Sequence, residues 1–572
     1  MLNWLTTKLT QEAKSDHPLG TDSALQKFFA ELDTGGGERP LQEIREWLAE
    51  PALLADRMSV GRFIKTVMAL DEAAQPHLAR VWKAFLADNT IDHLGEQKLL
   101  ALDHYYRASL ASNHHAAKAA FLNPGATGKS PAMTSSLVSI LLSRAVRAHV
   151  AMARTQHIRY RAPDTAWWQR SSDLLALATQ AEALNSLQGI YSGETPPSSP
   201  WREHLLGLFF EIAPLGNCNP RQMDVLARVL RRVEPHFMVR DTFFQQAPYH
   251  TRLDKFGPPQ KLNGGLPHDP NNVYFGPGMS YGHLIRLRAA ISPGQSLPDW
   301  LADSQSSPED AIAVLDALVM QWSDQPPQRM SKREARLVSI RATHGLTQIR
   351  RMIAFSEFAR SGRKVGYTSH FEQLKFERRG FADVTAVANE ADDSRWKDAS
   401  PLETLEILET AGDRQMMDDW TMQDESETGI GAIAPFLKPW MVIGTFIGYR
   451  VEDEVDWQVG ILRRLHRKES GHPSAGLEVF PDTPVCAQVK ELKVVPGTAP
   501  QTDLHKDSST QTFKDAVVLS QTQGLLLIPK GLFAQQRYLA LLVGGVREAV
   551  RMVALTHSDA DCDCVRYETL DG

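Results

Sequence analysis

The sequence predicts a multidomain α+β protein, in which an N-terminal all-α helical body is followed by a C-terminal antiparallel β-barrel with a β extension. Its 572 residues exceed what one hydrophobic core usually fills. Apolar residues recur with helical spacing through residues 20–235, and short strand patterns separated by Gly and Pro follow after about residue 411. The predicted segments are a helical bundle or solenoid-like domain (1–240), an irregular plus helical α/β segment (241–365), a polar linker (366–410), the barrel (411–500) and the β extension (510–572).

Composition and charge exclude several classes of protein. The chain is 42% hydrophobic and 23% charged, as is typical of globular proteins, and its net charge of -6 argues against sequence-independent nucleic-acid binding. Four cysteines are too few for a disulfide framework and favour a reducing compartment. The N-terminus lacks a signal-peptide pattern, and Arg144 and Arg147 interrupt the longest apolar stretch. We therefore expect a cytoplasmic protein without membrane insertion.

The helical body begins with amphipathic segments. In "RPLQEIREWLAE", Pro40 occupies a first-turn position and Leu41, Ile44 and Leu48 share one face. The longer segment "MTSSLVSILLSRAVRAHVAMARTQ" has the same helical spacing of apolar residues. No fixed repeat period appears, so a bundle and a solenoid both remain possible.

The middle segment is irregular. Pro, Gly and Asn crowd residues 246–282, where "NVYFG" is a short strand candidate, and this excursion could be a docking surface or irregular packing. In "SPEDAIAVLDALVMQW", Ser307 is a helix cap and Pro308 takes the first position. "ARLVSIRATHGLTQIRRMIAF" then predicts a strand, a glycine and a helix.

No sequence motif indicates an enzyme. The chain has neither a G-x-S-x-G elbow nor H-E-x-x-H, and in "NPGATGKS" Asn123 replaces a glycine that a phosphate loop needs. Cys562 and Cys564 alone are too few ligands for a zinc site. We expect no catalytic residues, no metal and no cofactor.

One turn motif stands out. Asp424, Ser426 and Gly429 form D-x-S-x-x-G between two predicted strands. Asp and Ser can cap neighbouring backbone amides in such a turn, and Gly permits a left-handed or closely packed backbone. A carboxylate is also a natural acceptor for the N1–H and N2–H donors of guanine. A structural turn and a ligand site are both consistent with the motif.

The strand order around this motif resembles the PilZ domain, the small β-barrel of bacterial cyclic di-GMP receptors. "WMVIGTFIGYR", "WQVGILRRLHRK" and "SAGLEVF" follow the motif, and the resemblance covers about residues 415–490. It implies that Asp424 and Ser426 bind a guanine of cyclic di-GMP and that Gly429 lets the backbone approach it. PilZ domains that bind this ligand also carry R-x-x-x-R just before the first strand.

That lead-in arginine pair is the main departure from the family. Its arginines clamp phosphates and stack on guanine, which lysine does less well. No such pair occurs between Phe381 and Gln423, and Arg329 and Arg333 have the spacing but lie far upstream near a predicted helix. The sequence therefore predicts that the lead-in pair is missing.

Three arginines inside the barrel are alternative phosphate ligands. On a strand, Arg463, Leu465 and Arg467 point to one face and Arg464 to the other. The sequence does not choose among the three arginines. A solvated basic edge that discourages aggregation of the sheet is the alternative explanation.

Two functional hypotheses follow. The first is a bacterial cyclic di-GMP-responsive signalling protein that regulates motility, pili or biofilm, with the helical body contacting a protein partner. The second is a degenerate PilZ-like scaffold that binds no nucleotide and serves only as a protein-interaction module. The missing lead-in pair favours the second hypothesis.

Overall fold

The chain forms two compact units, Met1–Gln328 and Arg329–Gly572. The computed structural model describes residues 17–32, 36–89, 91–127, 130–244, 248–254, 257–262, 266, 269–323, 333–361, 399–411, 416–467, 471–492 and 513–570. The predicted order, a helical body followed by antiparallel β structure, is confirmed. The predicted linker at 366–410 lies largely outside the described residues.

The first unit is built mainly from helices. Those in its helical body are α1 (Asp22–Glu31), α2 (Glu38–Leu48), α3 (Pro51–Asp56), α4 (Val60–Asp88), α5 (His93–Leu122), α6 (Pro131–Ile158), α7 (Thr165–Gln180), α8 (Pro200–Glu211) and α9 (Pro220–Val233). Side-chain caps explain where several begin: Ser59, Asp92, Ser130 and Asp164 each accept a hydrogen bond from a backbone amide of the first turn. These caps satisfy amides that have no partner within the helix.

Helix α6 is the one helix in the described part of the chain that is long and apolar enough to cross a membrane. Of its most apolar window, 67% is buried inside the helical unit. A core helix of a helical domain passes the same length and hydropathy test, so these two properties alone do not distinguish a core helix from a membrane-spanning one.

A small sheet follows the helical body. Its strands are β1 (Met238–Arg240), β2 (Tyr249–Arg252), β3 (Gln260–Lys261) and β4 (Asn272–Gly276), in the order β1-β4-β2-β3. The strand expected at "NVYFG" is β4, and all five of its residues are buried. Helices α10 (Ser280–Ala289) and α11 (Pro308–Gln321) complete the unit. Ser307 caps α11 in a capping box, as its position before Pro308 predicted.

The second unit begins with a closed six-stranded barrel. Its strands are β5 (Glu334–His344), β6 (Asp418–Ser426), β7 (Gly429–Ile433), β8 (Phe446–Val451), β9 (Gln458–Arg467) and β10 (Pro473–Val479). The strand order around the barrel is β10-β7-β6-β5-β8-β9. The barrel thus begins at residue 334 rather than at the predicted boundary of 411, because a long insertion separates β5 from β6.

The predicted β extension is a second closed barrel. It contains β11 (Val485–Glu491), β12 (Lys514–Ser520), β13 (Leu525–Pro529), β14 (Tyr538–Val543), β15 (Val546–Ser558) and β16 (Cys562–Thr569). Strand β16 lies within the predicted extension, whereas β11 lies in the range predicted for the first barrel. Because β11 pairs with β12 and β14, the second barrel starts before residue 500, where the sequence had placed the end of the first.

Two helices in the insertion between β5 and β6 pack on this unit. They are α12 (Leu346–Arg360) and α13 (Pro401–Ala411). The strand, glycine and helix predicted from "ARLVSIRATHGLTQIRRMIAF" are β5, Gly345 and α12, and Gly345 has a positive φ of 79° that favours glycine. Apolar residues of α12 share one core cluster with strands of both barrels, including Ile349, Phe446 and Val517.

Candidate functional site

The candidate site lies on the outward face of the first barrel, where β5 and β6 run side by side. Arg333 directly precedes β5, the first strand of this barrel, and Arg329 stands four residues earlier in the sequence. In the sequence, the R-x-x-x-R spacing of Arg329 and Arg333 therefore directly precedes the first strand of the barrel, whereas the sequence analysis had placed it far upstream of the barrel. Arg329 itself lies outside the described residues.

Arg333 pairs with the aspartate of the turn motif. Its Nη1 donates to Asp424 Oδ1 over 2.6 Å. The two side chains remain 35% and 33% exposed, so an approaching ligand can reach both. Register brings them together, because Ala335 and Asp424 are direct partners across β5 and β6. The sequence analysis noted Arg333 but set it aside, because it lies far upstream of β6 near a predicted helix.

The hairpin that carries the motif is closed by Ser426. Strands β6 and β7 pair from Ser426 to Gly429, and Ser426 Oγ donates to the Gly429 carbonyl oxygen over 3.0 Å. Gly429 is buried against β10, where an added Cβ would lie 2.6 Å from the Leu477 carbonyl oxygen. Gly429 is thus required for close backbone packing, and Ser426 fixes the geometry of the turn.

A row of paired residues crosses the barrel surface from this motif. Asp424 pairs with Gly431 on β7, Gly431 with Gly476 on β10, and Gly476 with Arg464 on β9. Directly opposed residues in a sheet share a face. A Cβ at Gly431 would lie 2.5 Å from Asp424 Oδ1, and one at Gly476 would lie 3.2 Å from the Cβ of Arg464. We call this row, Asp424, Gly431, Gly476 and Arg464, the glycine strip.

The strip lies on the outer face of the barrel, and its two glycines are half-buried beside the side chains of Asp424, Arg333 and Arg464. Its neighbours along the strands, Ile430 and Ala432 on β7 and Ala475 and Leu477 on β10, are buried in the barrel. Side chains alternate between faces, so the strip points outward. It therefore places two glycines between an arginine and a carboxylate at one end and a second arginine at the other.

The three candidate arginines of β9 have different surroundings. Arg464 is exposed, and its side chain has no hydrogen bond or ion pair with another described residue. Arg463 donates from Nε to Glu478 Oε2 over 2.5 Å and lies 3.5 Å from His557 of the second barrel. Arg467 donates to the Gly471 carbonyl oxygen over 2.8 Å. Arg464 is the arginine that lies in the glycine strip.

The contact between Arg463 and His557 joins the two barrels. Burial and then the positive charge of Arg463 lower the pKa of His557 to about 4. His557 is therefore neutral at pH 7. Its Nε2 donates to the Gly444 carbonyl oxygen over 3.0 Å, which leaves Nδ1 as an acceptor for the Arg463 guanidinium. Arg463 thus belongs to the junction between the barrels.

The described residues contain no group of three or more His, Cys, Asp or Glu side chains that could hold a metal ion. Cys562 and Cys564 are buried in β16. Burial raises the pKa of both thiols, to about 11 for Cys564. Neither thiol ionises readily near neutral pH.

The similarity to known proteins concerns the helical body rather than the barrels. A family model described as "Cyclic-di-GMP receptor FimW, N-terminal domain" matches residues 23–242. The helical body is similar to that domain. The matched range runs from the start of α1 to just after β1, so it contains neither barrel. No curated protein and no solved structure matches the chain.

Proposed function

We propose that this chain is a cyclic di-GMP-responsive signalling protein and that the first barrel binds the nucleotide along its glycine strip. The observation that carries the proposal is the 2.6 Å pair between Arg333 and Asp424, which unites the lead-in arginine with the D-x-S-x-x-G motif. The match of the helical body to the N-terminal domain of a cyclic di-GMP receptor supports it from a different part of the chain.

Each group at the site has a chemical role in this proposal. Asp424 accepts hydrogen bonds from N1–H and N2–H of one guanine, a charge-assisted and bidentate contact. The bare backbone at Gly431 and Gly476 lets the ligand lie close to the barrel. Arg333 turns from Asp424 to a phosphate, with Arg329 as its partner in the lead-in pair, and Arg464 holds the far side of the ligand.

The output of the receptor is proposed to be a protein contact made by the helical body in the cytoplasm. Control of motility, pili or biofilm is the output implied by the resemblance of the barrel to PilZ domains. The ligand acts here as a signal, and the proposal includes no catalysis and no resident cofactor.

Titration calorimetry of the full-length chain with cyclic di-GMP tests the proposal. We expect saturable binding that Asp424→Ala and Arg333→Ala each weaken about tenfold or more, since each removes a charged contact. Arg464→Ala should weaken binding less, because an exposed arginine loses more of its interaction energy to solvent.

Arg336→Ala is the matched control. Arg336 is also on β5 and also pairs with a carboxylate of β6, through a 2.6 Å contact between its Nη1 and Glu425 Oε2. Glu425 is the neighbour of Asp424 and does not belong to the glycine strip. Arg336→Ala should bind as the natural chain does. Equal losses in Arg336→Ala and Arg333→Ala would place the ligand elsewhere.

The ligand-free scaffold is the second candidate. Two observations favour it: Ser426 already satisfies the Gly429 carbonyl oxygen, and Asp424 already has a cationic partner in Arg333. Under this hypothesis the motif only closes the hairpin. A folded chain that shows no heat with saturating cyclic di-GMP would establish it and remove the receptor proposal.

A further inference from the structure

The helical body contains a groove that the barrel site does not involve. It has a volume of 570 Å³ and lies between α4, α6, α8 and α9. Pockets that bind small organic molecules commonly have volumes of about 300–1,000 Å³. With the exception of Asp303, every residue that lines the groove falls within residues 23–242, the range similar to a receptor domain.

The floor of the groove is apolar. Side chains of Val150 and Ala151 from α6, Leu206 and Phe210 from α8, and Leu230 from α9 contribute to it. Helices α6 and α8 approach closely beside this floor, since a Cβ at Gly207 would lie 2.9 Å from Cγ2 of Val150. The floor can therefore bury the apolar body of a ligand.

Arginines at the groove are held in place by shared carboxylates. Glu203 accepts hydrogen bonds from Arg147 over 2.8 and 3.0 Å and from Arg231 over 3.0 and 3.1 Å. Burial raises the pKa of Glu203, but the two arginines outweigh that effect and hold it well below its usual value. The carboxylate stays ionised, and Glu194 also pairs with Arg147 over 2.7 Å, so the charges of these two arginines are balanced while the exposed cations of the groove are not.

The second shared carboxylate is Asp224. Arg228 donates from Nε to Asp224 Oδ2 over 2.8 Å, and Arg154 forms an ion pair with the other oxygen. The guanidinium of Arg154 lies 4.1 Å from the centre of the Trp82 ring. Its Nε is buried and has no hydrogen-bond partner among the described residues, so Arg154 retains unused donor capacity.

The groove therefore has an excess of positive charge. Six cationic side chains line it against three carboxylates, in a chain whose net charge is -6. The two remaining cations, Arg80 and Lys83, come from α4 and are exposed at the rim. A cationic rim above an apolar floor complements a molecule that joins an anionic group to an apolar body.

We propose that this groove binds a small organic anion, with a phosphate, sulfonate or carboxylate group at the arginine rim and an apolar or aromatic body on the floor. The shared carboxylates order the arginines before the ligand arrives, which lowers the entropic cost of binding. This site is separate from the glycine strip and does not depend on binding there.

The probe for the test is 8-anilinonaphthalene-1-sulfonate, an aromatic sulfonate whose fluorescence rises in an apolar site. Titration into the full-length chain should show saturable binding that GMP displaces. An Arg80→Glu/Lys83→Glu double variant should weaken binding about tenfold by reversing two rim charges. Ala227→Trp should abolish it, because the larger ring fills the groove without removing a charge.

Two controls separate this site from other surfaces. Lys65→Glu changes the charge of α4 at an exposed position outside the groove and should leave the affinity unchanged. Arg333→Ala alters the barrel site and should also have no effect. The proposal is overturned if the probe binds equally to Ala227→Trp, shown to be folded by its unfolding transition, and to the double variant.

Discussion

Arg333 and Asp424 form an ion pair of 2.6 Å although 91 residues separate them in the sequence. They meet because β5 and β6 are neighbours in one barrel, whereas α12 and α13 belong to the insertion that lies between these strands in the chain. The pair places Arg333, which directly precedes the first strand of this barrel, against the aspartate of the D-x-S-x-x-G motif. Glycine-to-alanine substitutions near Asp424 can therefore test what this geometry contributes to ligand binding.

Gly431→Ala is expected to weaken cyclic di-GMP binding more than it weakens the fold. The new Cβ would lie 2.5 Å from Asp424 Oδ1 and 3.2 Å from Arg333 Nη1, so both half-exposed side chains must move. Movement of exposed side-chain ends costs little stability, but it should lower the affinity about tenfold if Asp424 holds guanine. Calorimetry and urea-induced unfolding measure the two effects.

Gly429→Ala is the matched comparison and should lower the stability of the fold more than it lowers the affinity for cyclic di-GMP. Its Cβ would lie 2.6 Å from a backbone carbonyl oxygen of β10, which cannot move without separating β7 from β10. We expect a loss of about 1–3 kcal/mol in the free energy of unfolding. Equal loss of stability in both variants would contradict the distinction between a side-chain clash and a backbone clash.

Local structure was largely predictable from the sequence, and long-range pairing was not. Glycine and β-branched residues indicated most strands after residue 411, and "ARLVSIRATHGLTQIRRMIAF" indicated a strand, a glycine and a helix. Nothing in that segment shows that β5 pairs with β6 across a long insertion. For the same reason Arg333 was seen but placed with a helix, and the lead-in pair was expected to be missing.

The glycine strip also could not be predicted from the sequence alone. Asp424 and Arg464 were both candidates, but Gly431 and Gly476 gained meaning only from the register that places them between these two side chains. A β-bulge shifts the register after Gly476, and one-residue shifts change which face a side chain occupies. On β9, Arg464 lies in the strip, whereas its neighbour Arg463 contacts His557 of the second barrel.

Glu409→Ala is expected to destabilise the second unit strongly. Glu409 on α13 is fully buried and accepts hydrogen bonds from Arg450 over 2.9 Å and from Trp457 over 2.8 Å, and it also pairs with Arg341. Arg450 is itself fully buried. Removing the carboxylate leaves a buried cation without its counter-charge, which costs about 3–5 kcal/mol. Urea-induced unfolding measures the change.

Glu406→Ala is the control for Glu409→Ala. Glu406 lies on the same helix, one turn earlier, and its side chain is exposed. Its removal should change the free energy of unfolding by less than about 0.5 kcal/mol. Similar losses in the two variants would mean that the helix, rather than the buried ion pair, determines the stability.

His149 should make the helical body less stable as the pH falls below 6.5. Burial lowers the pKa of His149 to about 3, while its Nε2 donates to the Trp167 carbonyl oxygen over 3.1 Å. In the unfolded chain the pKa is about 6.5, so between the two values the unfolded state binds a proton that the folded state does not. The free energy of unfolding therefore falls with the pH across this window.

Denaturant unfolding at pH 7.5, 6 and 4.5 measures this dependence. His149→Asn removes the titrating group and should give a shallower loss of stability between pH 6.5 and 4.5. His93→Asn changes an exposed histidine at the start of α5 and should keep the slope of the natural chain. An unchanged slope in His149→Asn would exclude His149 as a source of the pH dependence.

The four cysteines should be nearly unreactive in the folded chain. All are free, and burial raises the pKa of each, to about 12 for Cys218 and about 11 for Cys564. The thiolate is the reactive form, so both the small ionised fraction and poor access slow alkylation. Mass spectrometry after iodoacetamide at pH 7.5 should show no rapid labelling of the native chain and four labels in urea.

Ala302→Cys provides the positive control for this experiment, because residue 302 is exposed. That variant should gain one rapidly formed label while the four natural cysteines stay protected. Protection of Cys562 and Cys564 also reports on the second barrel, since both lie in β16 between β13 and β15. If either thiol is labelled as fast as the added cysteine, the strand opens readily and the closed second barrel is not the stable state in solution.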